Sequence, residues 1–228
     1  MRRVVVTGMG VVSPIAATLG DYWDALVHGR GGTSRITHFD PSAYTCQIAA
    51  EVHSFDPTRY MPPKEARRLI PVIQFALAAA KMALDDSGLV ITDGNADRVG
   101  VVVGSGIGGI SFMEEQARNL HEKGPSRVSP FAVPWMISNM SAGEIAIIHG
   151  LRGPNTSPTT ACATSTHAVG DAYRIIQRGE ADAILAGGTE AAITPLGVAA
   201  FCAAKALSTR NDDPEHASRP FDVDRDGF

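Results

Sequence analysis

Three cysteines in 228 residues are too few for a disulfide framework. Cys46, Cys162 and Cys202 form no C-x-x-C pair, which argues against a zinc ribbon or a dithiol redox pair and favours a reducing cytoplasm. No run of about 18 uninterrupted apolar residues occurs, so the sequence predicts no membrane span. Positive charge is also short. Twenty Lys and Arg stand against 24 Asp and Glu, for a net charge of −4, which argues against nucleic-acid binding through a basic face. The start, "MRRVVVTGMGVVSPIAA", puts two arginines before an apolar stretch. Gly8, Gly10 and Pro14 interrupt that stretch, and the β-branched residues 4–6 predict a strand over 2–7 rather than a secretory leader.

What is present is ordinary globular composition: 44% hydrophobic and 19% charged, enough for a sizeable core in one large or two small domains. Strand-like runs at 98–106, 155–161 and 181–191 alternate with helix-like ones at 71–89, 111–122, 134–150 and 164–178, and a short helical stretch is expected around 19–26. This alternation predicts βαβ units and a mostly parallel central sheet flanked by helices. Pro71 suits a first turn, and Gly88, Gly150 and Gly179 suit helix ends. Residues 33–63 read as irregular, with four prolines. No fixed short repeat or low-complexity linker divides the chain, which reads as one α/β unit. The ending "RPFDVDRDGF" reads as a polar loop, with Gly227-Phe228 leading into a further strand.

Cys162 is the residue of greatest chemical interest. It follows a strand-like run and precedes a helix-like one, among small residues (Ala161, Ala163, Thr164, Ser165) that leave room at the sulfur. A helix start favours an anion by about 0.3–1 kcal/mol, up to about 2 in sheltered geometry, or about one pKa unit for a thiol. Free cysteine is also among the most buried residue types, so position alone leaves a packing thiol as the alternative. "GSGIGG" (104–109) satisfies G-x-G-x-x-G after a strand. The acidic residue that a dinucleotide site needs about 20 positions later is missing, and the match by itself is weak. Cys46 and Cys202 lack the strand-to-helix setting and read as packing residues.

The strings "RRVVVTGMGVVSP", "HFDPSAY", "GSGIGG", "GLRGPNTSPTTACA", "TACATSTHAVGDA", "LAGGTEAAITPLGVAAFCAAKALSTRND" and "ASRPFDVDRDGF", in this order along the chain, resemble the β-ketoacyl-acyl carrier protein synthases, specifically the type II elongating enzymes. The resemblance runs from Arg2 to Phe228. It implies the thiolase fold, here a βαβαβαββ half, so that residues 1–228 would be an N-terminal ketosynthase domain stopping before its last strand. It implies Cys162 as the acyl-accepting nucleophile at the start of a buried helix, its own N–H serving the oxyanion hole. Ile107 and Phe201 would line the acyl pocket, with plain core packing as the alternative for both. A docking role for Lys64, Arg67 and Arg68, with Arg127 and Lys205 as weaker additions, would suit an acidic acyl carrier protein.

The resemblance further implies a cytoplasmic homodimer with no metal and no cofactor, the substrates riding on the carrier's phosphopantetheine. Trp135 is expected near a subunit interface. The two histidines, the lysine and the Gly-Phe-Gly-Gly-type loop of the family's C-terminal half have no counterpart here. His149 and His167 read as structural, so these residues alone are expected not to complete condensation. Competing readings are an aromatic polyketide ketosynthase, a biosynthetic thiolase, and a non-catalytic ketosynthase-like subunit.

Overall fold

The computed structural model describes residues 2–16 and 18–228. Its helices are α1 (Leu19–Val27), α2 (Pro63–Arg68), α3 (Pro71–Ser87), α4 (Ile110–Lys123), α5 (Ala132–Met136), α6 (Met140–His149), α7 (Thr164–Arg178) and α8 (Pro195–Ala203). Its strands are β1 (Thr33–Arg35), β2 (Ile48–Ala50), β3 (Val99–Gly104), β4 (Asn155–Thr156) and β5 (Ala183–Gly188). The residues gather into two compact units, one of 1–11 with 56–191 and the other of 12–55 with 192–228.

The first unit is built on β3, whose six residues are all buried. A strand covered on both faces needs a continuous apolar run, and VGVVVG supplies it. β5 pairs with β3 in parallel over its whole length, from Val99 opposite Ala183 to Gly104 opposite Gly188. β4 pairs in parallel on the other edge, giving the order β4-β3-β5. The period-2 alternation of β3 sends its side chains to two separate cores. Val99, Val101 and Val103 pack with residues of α3 and α6, whereas Val102 packs with Ala168, Ala172 and Ile175 of α7 and with Ala181. The unit is therefore helix, sheet, helix.

α3 starts on Pro71, whose missing N–H costs nothing in a first turn. The Gln74 amide reaches back to the carbonyls of Ala66 and Leu69 at 2.7 and 2.8 Å, satisfying acceptors that α2 leaves open at its end.

The second unit is less regular. β1 and β2 form a short antiparallel hairpin, inside the stretch expected to lack regular structure. α8, also unforeseen, is capped by Thr194, whose hydroxyl accepts the Gly197 N–H at 3.0 Å. Cys46, Ile48 and Ala217 form the small core, with Cys202 and Leu207 packed on it. Cys46 is 2% exposed, and burial pushes its thiol up from the ordinary range, as suits a packing residue. The Glu51 carboxylate is buried, yet accepts the Thr37 N–H, the Thr37 hydroxyl and the His38 N–H.

Three expected elements are different. Residues 2–12 form no strand; no described strand pairs with them, and Val5 and Val6 stay 62% and 77% exposed. The segment instead lies on α3, where a Cβ on Gly8 would fall 2.3 Å from the Ala83 carbonyl oxygen. The strand expected at 155–161 is two residues long, because Pro158 has no N–H to extend the ladder. The helix expected at 134–150 is two helices, α5 and α6, separated at Ile137, which takes extended backbone.

Candidate active site

Cys162 sits in a single 3₁₀ turn, Ala161–Ala163, that runs straight into α7. Gly-free as it is, this turn bends through a left-handed residue: Ala161 has φ 50°. That conformation costs a non-glycine residue roughly 1–2 kcal/mol and persists only where neighbours hold it. Several do. The Thr164 hydroxyl accepts the Thr160 N–H at 2.8 Å, and Thr160 Oγ1 meets His167 Nδ1 at 2.6 Å. Upstream, Ser138 and Thr159 hydroxyls meet at 3.1 Å. The turn lifts Cys162 outward and leaves it exposed, and the Cys162 N–H has no hydrogen-bond partner among the described residues. An accessible thiol beside a free N–H at a helix start is the arrangement that acyl transfer uses, one group attacking and the other receiving the developing oxyanion.

The helix behind it is not buried as expected. α7 buries only Thr164, Ala168, Ala172 and Ile175, one face at helical spacing, because the described chain packs against that face alone. His167 is likewise no core residue; it is exposed and bonded to Thr160.

The Gly-rich loop forms the floor beside this turn. A Cβ on Gly104 would lie 2.1 Å from the Pro158 carbonyl oxygen and 2.4 Å from Thr164 Cγ2, so only glycine allows the strand end to come so close. The loop's N–H groups do not await a phosphate. Those of Gly106 and Ile107 donate to Glu190 Oε2 at 2.9 and 3.1 Å, and the Ser105 hydroxyl donates to Glu190 Oε1 at 2.9 Å. Ile107 is thereby placed on the loop next to the Cys162 turn, 37% exposed. Phe201 lies in the other unit, its ring edge-on to Phe228 at 5.7 Å.

The basic residues have unequal surroundings. Lys64 and Arg67 are exposed on α2 and pair with no described residue. Arg68 turns inward: it pairs with Glu65 and with the buried Glu144 at 2.6 and 3.3 Å, and lies over the Phe131 ring. Arg127 and Lys205 are exposed, Lys205 with a left-handed φ of 54°. Trp135 is 7% exposed, stacked on Phe131 and met edge-on by Phe112 within the first unit's core. Among the described residues no group of three His, Cys, Asp or Glu is placed to hold a metal, and no helix is long and apolar enough to cross a membrane.

Glu190 and the left-handed Ala161 were not foreseen. Glu190 had one available signal, a lone acid just after an apolar strand; no residue-type rule marks Ala161, since alanine is not a residue that favours positive φ.

The chain is 53% identical over 227 residues to a 3-oxoacyl-[acyl-carrier-protein] synthase 2 from Synechocystis sp., covering 100% of this chain and 55% of that protein. It thus spans about half the length of the curated relatives it matches. A β-ketoacyl synthase from Burkholderia phymatum superposes with a TM-score of 0.88 at 32% identity, over 100% of this chain and 56% of that one. A type II polyketide ketosynthase, solved with its acyl-carrier protein, superposes with a TM-score of 0.85 at 29% identity, over 100% and 55% of the two chains. The family model for the N-terminal domain of β-ketoacyl synthases matches residues 1–228, and the chain belongs to that family.

Proposed function

We propose that this chain carries the nucleophile of a 3-oxoacyl-[acyl-carrier-protein] synthase of fatty acid elongation, as its N-terminal ketosynthase domain. The Cys162 thiolate attacks the thioester carbonyl of an acyl carrier protein, and the carrier's phosphopantetheine thiolate leaves. A malonyl carrier then loses carbon dioxide, and the carbanion left at its C2 attacks the Cys162 thioester. The new carbon–carbon bond expels the Cys162 thiolate and yields a 3-oxoacyl carrier two carbons longer. The Cys162 N–H receives the oxyanion in both additions. Nothing in this sequence of steps asks for a metal or redox cofactor. The single observation that carries the reading is an exposed thiol held on a left-handed turn at the start of α7.

The carrier's acidic surface is read by Lys64 and Arg67, the α2 cations left unpaired, with Arg127 and Lys205 as further contacts. Arg68 holds α2 in place through Glu144. Ile107, on the loop beside Cys162, lines the acyl chain's path, and the working protein is a cytoplasmic homodimer.

Intact mass after incubation with a short acyl thioester tests the reading. We expect one acyl adduct on Cys162, none on Cys46 or Cys202, and none at all in C162S. A chain that takes no adduct, or takes it elsewhere, overturns the assignment. The identity to a curated synthase 2, 53% against 29% to the polyketide ketosynthase, favours fatty acid elongation over the polyketide reading.

A further inference from the structure

The loop that follows β3 and the turn that presents Cys162 touch each other. A Cβ on Gly106 would lie 3.3 Å from Ala161 Cα and 3.4 Å from its carbonyl oxygen, and also 2.9 Å from Glu190 Oε2. Gly106 is therefore sandwiched between the strained residue before the nucleophile and a carboxylate. That carboxylate accepts three hydrogen bonds from three consecutive residues, Ser105, Gly106 and Ile107. Ser105, 1% exposed, closes the loop by accepting the Gly108 N–H on the same hydroxyl at 2.9 Å. Successive N–H groups converging in this way form an anion-binding concavity; here the anion is part of the protein. Glu190 is itself anchored, since the adjacent Thr189 donates its N–H to the Gly104 carbonyl at 3.0 Å and its hydroxyl to the Val72 carbonyl at 2.7 Å.

We propose that Glu190 is a positioning residue for the Cys162 thiol: by filling the 105–108 loop's concavity it holds that loop against Ala161 and so maintains the left-handed turn that presents the sulfur and its N–H. The argument is one of packing and hydrogen bonding. With the carboxylate gone, two N–H groups and a hydroxyl at the floor of the site lose their acceptor, and the loop relaxes to find water. Ala161 then loses the wall against which its unfavourable φ is held. The effect falls on the alignment of thiol and N–H, not on access to the sulfur. The proposal deepens the acyl-acceptor reading and rests on it for its kinetic readout.

Two measurements on the full chain test it. The first compares acyl transfer from an N-acetylcysteamine thioester to Cys162, read by intact mass, with alkylation by iodoacetamide, which needs only an accessible sulfur. E190A should slow acyl transfer about tenfold while alkylation stays within about twofold, since relaxed alignment penalises only the step that needs it. E190Q, whose amide oxygen can accept both N–H groups while its NH2 donates to Ser105, should stay within about threefold of the parent. Formate, small enough to refill the vacated concavity, should restore E190A and leave the parent unchanged.

The second measurement is hydrogen exchange of residues 158–165, which does not depend on catalysis. Exchange should quicken in E190A and be restored by formate. Unchanged exchange overturns the proposal, whatever the transfer rates. A parent chain that takes no acyl group, with exchange still responding to E190A and formate, sinks the acyl-acceptor reading and leaves the clamp standing. If E190A does not fold, S105A removes one donor from the carboxylate and the acceptor of Gly108. It should quicken the same exchange and slow transfer about threefold; a parent-like S105A overturns the proposal.

Discussion

α3 and α7 are of similar length and flank the same strand, and both end on a left-handed glycine, Gly88 with φ 66° and Gly179 with φ 80°. They are covered very differently. α3 buries Val72, Ile73, Ala76, Leu77, Ala78, Ala80 and Leu84, too many for one stripe. α7 buries one stripe of four, and leaves Val169 and Tyr173 at 53% and 41% exposure. The alanines explain the first case: small side chains let α3 approach α6, the sheet and the N-terminal segment together. The comparison teaches a division of labour. The helix packed on several sides carries the fold, and the helix packed on one side carries the thiol at its open end.

The sharpest way to break that division is to truncate each helix once. Leu77, 1% exposed on α3, should cost about 2–5 kcal/mol as L77A, the range for a buried leucine whose cavity cannot fully collapse. Val169 on the open side of α7 should cost no more than about 0.5 kcal/mol as V169A. Urea unfolding measures both. Equal losses would mean that α7 is covered by something beyond the packing described here.

The next effect is smaller and sits within a single turn of α2. Arg67 and Arg68 are neighbours in sequence, yet one is exposed and pairs with no described residue while the other faces the buried Glu144. R68A strands that carboxylate. Because the Arg68 side chain is 32% exposed, we expect about 1–3 kcal/mol rather than the full cost of breaking a buried pair. R67A should leave stability within about 0.5 kcal/mol but weaken carrier binding, most of all at low salt. Urea unfolding and a binding titration at two ionic strengths separate the roles. A carrier affinity that falls with R68A and not with R67A would reverse them.

That pair also shows where sequence reading reaches its limit. Residue type marks both arginines as surface cations, and only the three-dimensional placement of α6 gives one of them a buried carboxylate to pair with. Helices α1, α3, α4 and α7 and the parallel strands β3 and β5 were legible because their apolar periodicity and their glycine and proline boundaries are local properties. The fate of 2–7 was not, since three consecutive valines report a wish to be buried and say nothing about whether a partner strand is present. The hairpin of β1 and β2 was hidden because strands of three residues carry too little pattern. The place of Cys162 at the start of a helix was legible from its setting between strand and helix. Alanine gives no residue-type signal for the φ of Ala161, and the hydrogen bonds of Glu190 join segments 83 to 85 residues apart, which no window along the chain contains.

The smallest effect expected concerns how α7 is tied down at its far end. Arg98 donates to the Gly179 and Glu180 carbonyls at 2.7 and 3.0 Å, capping the helix's last turn, and its guanidinium is held in turn by Asp182, which also binds Arg2 at 2.7 Å. Hydrogen bonds from Arg98 and Arg2 lower the Asp182 carboxyl from 3.8 to about 2. A carboxylate whose pKa is depressed in the folded state contributes stability that is fully present above its unfolded value and is lost as pH falls through the folded one. The contribution of Asp182 is therefore whole above about pH 4 and fades toward pH 2. D182N removes it at every pH, so the melting temperatures of parent and variant should differ modestly at pH 6 and converge between pH 4 and 2. Solvent screens these exposed groups, and 0.5 M salt should shrink the gap further. A gap that persists unchanged at pH 2 would mean that the carboxylate's charge is not what secures the end of α7. The contrast with α3, whose hold comes from burial, would then need another explanation.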